Sequence, residues 1–96
     1  MLIVQLTDPQ IGAIQCRDWS EEPAMRRQIV NGTPLGGRLA FFKFERDALA
    51  AEVNDASNAE DEHAQQLRRD GELECARHAA RAARVLSNLY GRILKA

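Results

Sequence analysis

The sequence predicts a mainly helical α+β fold: a short N-terminal β-hairpin packed on an antiparallel unit of two or three helices, with a β and loop part over 1–37 and a helical hairpin over 38–96. Three observations carry this reading. Cys75, Ala79, Ala82, Leu86, Leu89 and Ile93 recur in steps of four and three, which lines side chains along one face of a helix. Leu2, Val4 and Leu6 alternate with Ile3, Gln5 and Thr7, the period of a strand. Between these stretches, Asn31 to Gly37 holds three glycines and a proline in seven residues, a break that separates the β part from the helices. A chain of 96 residues suits one domain, with a core small enough that self-association helps to cover it.

Taken in order, the strand over Leu2–Leu6 stops at Asp8-Pro9, read as a tight turn because proline fixes φ and lacks a donor. Ile11 to Cys16 then returns as the second strand. Ser20-Glu21-Glu22-Pro23 starts a short helix, with Ser20 as its cap and Trp19 as an apolar plug. From Arg38 a helical pattern begins, with Leu39, Phe42, Leu49, Val53 and Ala56 on one face and Phe41 and Phe44 widening it. Ser57-Asn58-Ala59-Glu60 has the form of a capping box, so a bend is expected near Asn54–Asn58 and a new helix after it. Gly71 either caps that helix or sits inside a longer one. The last helix ends in Leu86, Leu89, Tyr90, Ile93 and Leu94, the large side chains expected to form the core and the oligomer seam.

Net charge is −1, but the charges are not mixed along the chain. Glu45 to Glu74 is dominated by acids, whereas Arg77, Arg81, Arg84, Arg92 and Lys95 follow with no acid among them. Arginine outnumbers lysine, the usage of a GC-rich bacterial or phage genome. Leu2–Val4 is too short for a signal sequence and no span nears the ~20 apolar residues of a membrane helix, so a cytoplasmic protein without a membrane partner is expected. Cys16 and Cys75 stand apart, as free thiols in a reducing compartment do.

Few residues point to chemistry. Leu6-Thr7-Asp8-Pro9-Gln10-Ile11-Gly12 resembles the first metal-binding segment of calcineurin-like metallophosphoesterases, in which a strand ends in an aspartate and a His or Gln follows two residues later. The resemblance implies a two-metal phosphoesterase, but it covers these seven residues alone. That family also needs Gly-Asp, Asn-His and His-x-His segments, and this chain has two histidines, His63 and His78. Cys75 and His78 have the spacing of half a zinc site, set against a core Cys75 and a His78 paired with Glu74. Serines 20, 57 and 87 have no local base. No catalytic residue, metal or cofactor is therefore expected.

Two binding surfaces are expected. Gly32, Thr33, Gly36 and Gly37, with Arg38 opening a helix, would offer backbone donors to a phosphate-bearing ligand such as a nucleotide. The stripe Arg77, Arg81, Arg84 and Arg92 would face the acidic helix of the hairpin or of a neighbouring subunit, a protein partner or, less favoured for want of stacking aromatics, nucleic acid. The function expected is stoichiometric binding without turnover, by an adaptor, inhibitor or phage-type accessory protein acting on a host macromolecule. A homo-oligomer that sequesters a nucleotide in the glycine-rich loop is the alternative, and nucleic-acid binding the third.

Overall fold

The computed structural model describes residues 1–96. Its order is β1 (Leu2–Gln5), α1 (Asp8–Gln15), α2 (Pro23–Arg26), β2 (Ile29–Val30), β3 (Thr33–Pro34), β4 (Arg38–Phe41), α3 (Arg46–Arg69) and α4 (Leu73–Lys95). α3 and α4 form a long antiparallel hairpin, and everything before them packs around one end of it. The fold is thus the mainly helical α+β arrangement expected, with a short antiparallel strand pair set on a helical hairpin.

The helical hairpin turns at Gly71. Its φ is +80°, a left-handed value that glycine adopts without a Cβ penalty. Glu72 N–H donates to Leu67 O at 2.9 Å and Gly71 N–H to Arg68 O at 3.1 Å, the paired bonds of a Schellman cap. The hairpin therefore has two helices. No bend falls at Asn54–Asn58, because Ser57 lies in phase with the buried stripe Leu49, Val53, Ala56 and Ala64. Its hydroxyl donates to Ala83 O at 2.7 Å and ties the helices together at mid-length.

The N-terminal part departs from expectation in two elements. Thr7-Asp8-Pro9-Gln10 is a helix start: Gln10 N–H donates to Thr7 Oγ1 at 3.3 Å, and Thr7 N–H donates to Gln10 Oε1 at 3.0 Å. Pro9 sits in the first turn, where its missing N–H costs nothing. Ile11–Cys16 is consequently helix and its tail, and the partner of β1 is β4, with Leu2 opposite Phe41 and Val4 opposite Leu39. Arg38–Phe41 is a strand because Leu39 and Phe41 alternate into the core. Phe42 and Phe44, expected on a buried helical stripe, are exposed and stacked on each other at 5.8 Å.

The glycine-rich stretch is more regular than expected. β2 and β3 make a small hairpin across Asn31-Gly32, and Leu35–Gly37 is a tight turn with Gly36 at a left-handed φ of +68°. α2 starts at Pro23 with Glu22, not Ser20, at its cap position. Its free N–H groups are met from α3: Ala24 and Met25 donate to the Glu52 carboxylate at 2.9 and 2.7 Å. Trp19 is buried, as a plug should be, and its indole N–H donates to Ile14 O at 2.8 Å. Val4, Ile14, Trp19, Met25, Leu39, Phe41, Leu49, Leu86, Leu89 and Ile93 all belong to one core at this end.

Candidate functional site

The seam of α4 is core. Leu86, Leu89 and Ile93 are fully buried by the chain's own N-terminal part, Tyr90 is half-buried, and Leu94 is exposed. The area that argued for an oligomer through this seam is already covered within one chain. Near the turn the buried line is Ala76, Ala79 and Ala83 rather than Cys75, Ala79 and Ala82, and Cys75 is exposed. A seam with a 3.5-residue period drifts about 20° per heptad on a straight helix, about 40° over the two heptads from Leu89 back to Cys75.

That drift leaves Ala82 and Cys75 beside a groove along the flank of the helical hairpin. A cavity of about 480 Å³ lies between α1 and α4, lined by Pro9, Gly12, Ala13, Cys16, His78, Arg81, Ala82 and Val85. A second, of about 550 Å³, continues it towards the turn with Glu60, His63, Leu67, Glu72, Cys75 and Ala79. The two share Ala13, Cys16, His78 and Ala82, so they form one trough. Its floor is concave because Gly12, Ala13, Ala79 and Ala82 have no side chain long enough to fill it. α1 is held at the correct height by Gln10, whose Oε1 accepts from Arg92 Nη1 at 2.9 Å as well as from Thr7.

The walls carry charge. Arg81 lines the trough, and Arg77 and Arg84 are exposed one turn to either side of it on α4. None of the three pairs with an acid of its own chain, so they do not face the acidic helix of the same hairpin: the ion pairs are Arg17–Glu60 at 3.1 Å, Arg27–Glu45 at 3.3 Å and Arg46–Asp47 at 3.9 Å. Arg92, the fourth of the stripe, is engaged with Gln10. Glu60, at the other wall, is held by Arg17, whose guanidinium also lies 5.5 Å from the Trp19 ring. Along α4 the trough therefore has Arg81 free, flanked by the exposed Arg77 and Arg84, with the unpaired Glu72 at its turn end.

The two cysteines and two histidines, brought from the end of α1, from α3 and from α4, all border this trough. Sequence reasoning joined only Cys75 and His78, which share a helix. Cys16 and His63 come from α1's end and from α3. No three His, Cys, Asp or Glu side chains gather closely enough to hold a metal ion. His78 has no ion pair with Glu74. Asp8, the residue of the metallophosphoesterase resemblance, lies exposed in the first turn of α1.

Gly32, Thr33, Gly36, Gly37 and Arg38 do not meet a helix N-terminus, because Arg38 opens β4. Gly32, Gly36 and Gly37 have φ of +79°, +68° and +66°, so turn geometry accounts for them. Gly37 O accepts from Leu6 N–H at 3.1 Å and extends the β1–β4 pairing by one step. No helix is long and apolar enough to cross a membrane. Compared with protein-family models, curated proteins and solved structures, the chain gives no match in any of the three.

Proposed function

We propose that the chain is a non-catalytic binding module that takes a helical segment of a protein partner in the trough between α1 and the α3–α4 hairpin. The observation that carries this reading is the continuous floor of small side chains beside arginines that have no partner of their own. From Glu72 to Val85 the trough follows α4 for about 20 Å at 1.5 Å per residue, the length of a short helix. Helix-in-groove recognition needs an apolar face of that length. The rim sets the charge: an acidic flank on the partner lies against Arg77, Arg81 and Arg84.

The test uses labelled amphipathic helical peptides with one apolar face and either an acidic or a basic flank. The acidic peptide should bind and the basic one should not, with affinity falling as salt rises. Ala82→Trp, which fills the floor, and Arg81→Glu, which reverses the rim, should each weaken binding about tenfold or more while helical circular dichroism is kept. Equal binding of both peptides, or loss of neither on substitution, would refute the reading.

The unpaired arginines also favour a second reading, contact with nucleic-acid phosphates. It requires duplex or single-stranded DNA to bind at ~50 mM salt and to be released near ~200 mM. Binding that needs Arg77, Arg81 and Arg84 but is indifferent to Ala82→Trp would assign the rim to nucleic acid. A mass that doubles at micromolar protein and returns to one chain with Ala82→Trp would instead place a second copy in the trough.

A further inference from the structure

The two edges of the β1–β4 pair are treated differently. Leu6 N–H bonds Gly37 O, so with the register Leu2–Phe41 to Gln5–Arg38 the hydrogen-bonded pairs are Leu2–Phe41 and Val4–Leu39. Ile3 and Gln5 must then turn their N–H and C=O groups away from β4, and Ala40 and Arg38 must turn theirs away from β1. On the β4 side the outward groups of Ala40 are met: Gln28 Nε2 donates to Ala40 O at 2.9 Å and Ala40 N–H donates to Gln28 Oε1 at 3.0 Å. One side-chain amide closes the middle of that edge.

Nothing closes the other. The outward N–H and C=O groups of Ile3 and Gln5 have no hydrogen-bond partner in the chain, and Ile3 is 54% exposed. A cleft of about 240 Å³ runs beside this edge, lined by Ile3, Val4, Arg92, Lys95 and Ala96. Its charged side chains are Arg92 and Lys95. Arg46 Nη1 donates to Ala96 O at 3.4 Å at the end of α4, and its guanidinium also pairs with Asp47. Unpaired edges attract strands, and proteins that do not use them cover them, as Gln28 does on the other side.

We propose that the free edge of β1 accepts an extended segment of a protein partner as an added strand, and that this segment carries acidic side chains on the face turned towards α4. The backbone groups of Ile3 and Gln5 supply up to four hydrogen bonds, at the usual ~4.8 Å strand spacing. The alternation of β1 sets the partner's pattern. Val4 turns inward and Ile3 outward, so the added strand meets Arg92 and Lys95 with one set of its side chains and Ile3 with the other. A second copy paired edge to edge would bring two such cationic clefts together. Charge therefore selects an acidic partner over self-pairing.

The probes are two blocked peptides, one alternating aspartate with valine and one alternating lysine with valine, added at millimolar concentration to the intact chain. Amide exchange by NMR is the readout. The aspartate peptide should slow exchange at Ile3 and Gln5 and leave Val4 unchanged, and added salt should weaken the effect. Ile3→Pro removes one outward donor and leaves the β4 ladder intact, as edge prolines do, and should cost about fivefold to tenfold in affinity. Lys95→Glu, at a side chain with no partner in the chain, should reduce the aspartate peptide's binding and admit the lysine peptide. No protection from either peptide overturns the proposal. So does equal protection from both, and so does protection at Ile3 and Gln5 that grows with protein concentration and no peptide, which would mean self-pairing.

Discussion

The two ends of the helical hairpin are built from different materials. Around the N-terminus of α3 and the C-terminus of α4, the helices bury Leu49, Val53, Leu86, Leu89 and Ile93 against Ile14, Trp19, Met25, Leu39 and Phe41 in one core. Towards Gly71 the same helices meet through Ala64, Ala76 and Ala79, which lie outside that core, and Leu73 is 59% exposed. Large buried side chains contribute roughly 1.5 to 3 kcal/mol each, and alanines much less. The difference teaches that the first half of the chain exists to cover one end of the hairpin, and that the other end is held by helix continuity and by the Gly71 cap. The trough begins where the cover stops.

The largest expected effect comes from the covered end. Leu89→Ala removes a fully buried side chain and should cost about 2 to 5 kcal/mol in urea unfolding, with the whole chain losing cooperativity or stability together. Leu67→Ala, at a half-buried site near the turn, should cost about 1 kcal/mol or less. Similar losses at the two sites would break the comparison, because they would mean that the alanine end carries as much of the stability as the core.

The next effect isolates the uncovered end. Gly71→Ala forces an L-residue to φ near +80° and should cost about 1 kcal/mol, since open space surrounds the new methyl group and only backbone strain acts. Its local signature sharpens the comparison. Amides from Leu67 to Ala76 should exchange faster in the variant, while those of Leu49 and Leu89 follow global unfolding alone.

The long hairpin was legible because α4's periodicity is strong and Gly71 had only two possible roles. The N-terminal part was legible in kind and misread in detail. Two capping-box patterns occur, Thr7-Asp8-Pro9-Gln10 and Ser57-Asn58-Ala59-Glu60, and only the first caps a helix. What separates them is context: Thr7 ends a strand, whereas Ser57 falls in step with Val53 and Ala64 and finds a carbonyl on α4. Leu39-Ala40-Phe41-Phe42 fits either period, and pairing with β1, a contact some 35 residues away, decides it. The trough was not legible at all. Its floor mixes Gly12 and Ala13 with Ala79 and Ala82, and small residues in separate elements announce nothing until the fold places them together.

The smallest effect lies at the rim of the covered end, in the turn that delivers Trp19 to the core. Asp18 Oδ1 accepts from Ser20 N–H at 2.9 Å, and this bond holds the Asp18 carboxyl below its ordinary value near 3.8. A carboxylate whose folded pKa is depressed stabilises the fold fully above its unfolded value, and that contribution is lost as pH falls through the folded one. Asp18→Asn keeps an acceptor for Ser20 but cannot titrate. The difference in urea midpoint between the two proteins should therefore be constant from neutral pH down to about 4 and shrink below it. Asp18 is exposed, so the difference is small and should shrink further in salt, whereas the Leu89→Ala loss should hardly change. A difference that grew on acidification would mean that the turn prefers the protonated acid, and the bond to Ser20 would then not be what orders the approach to Trp19.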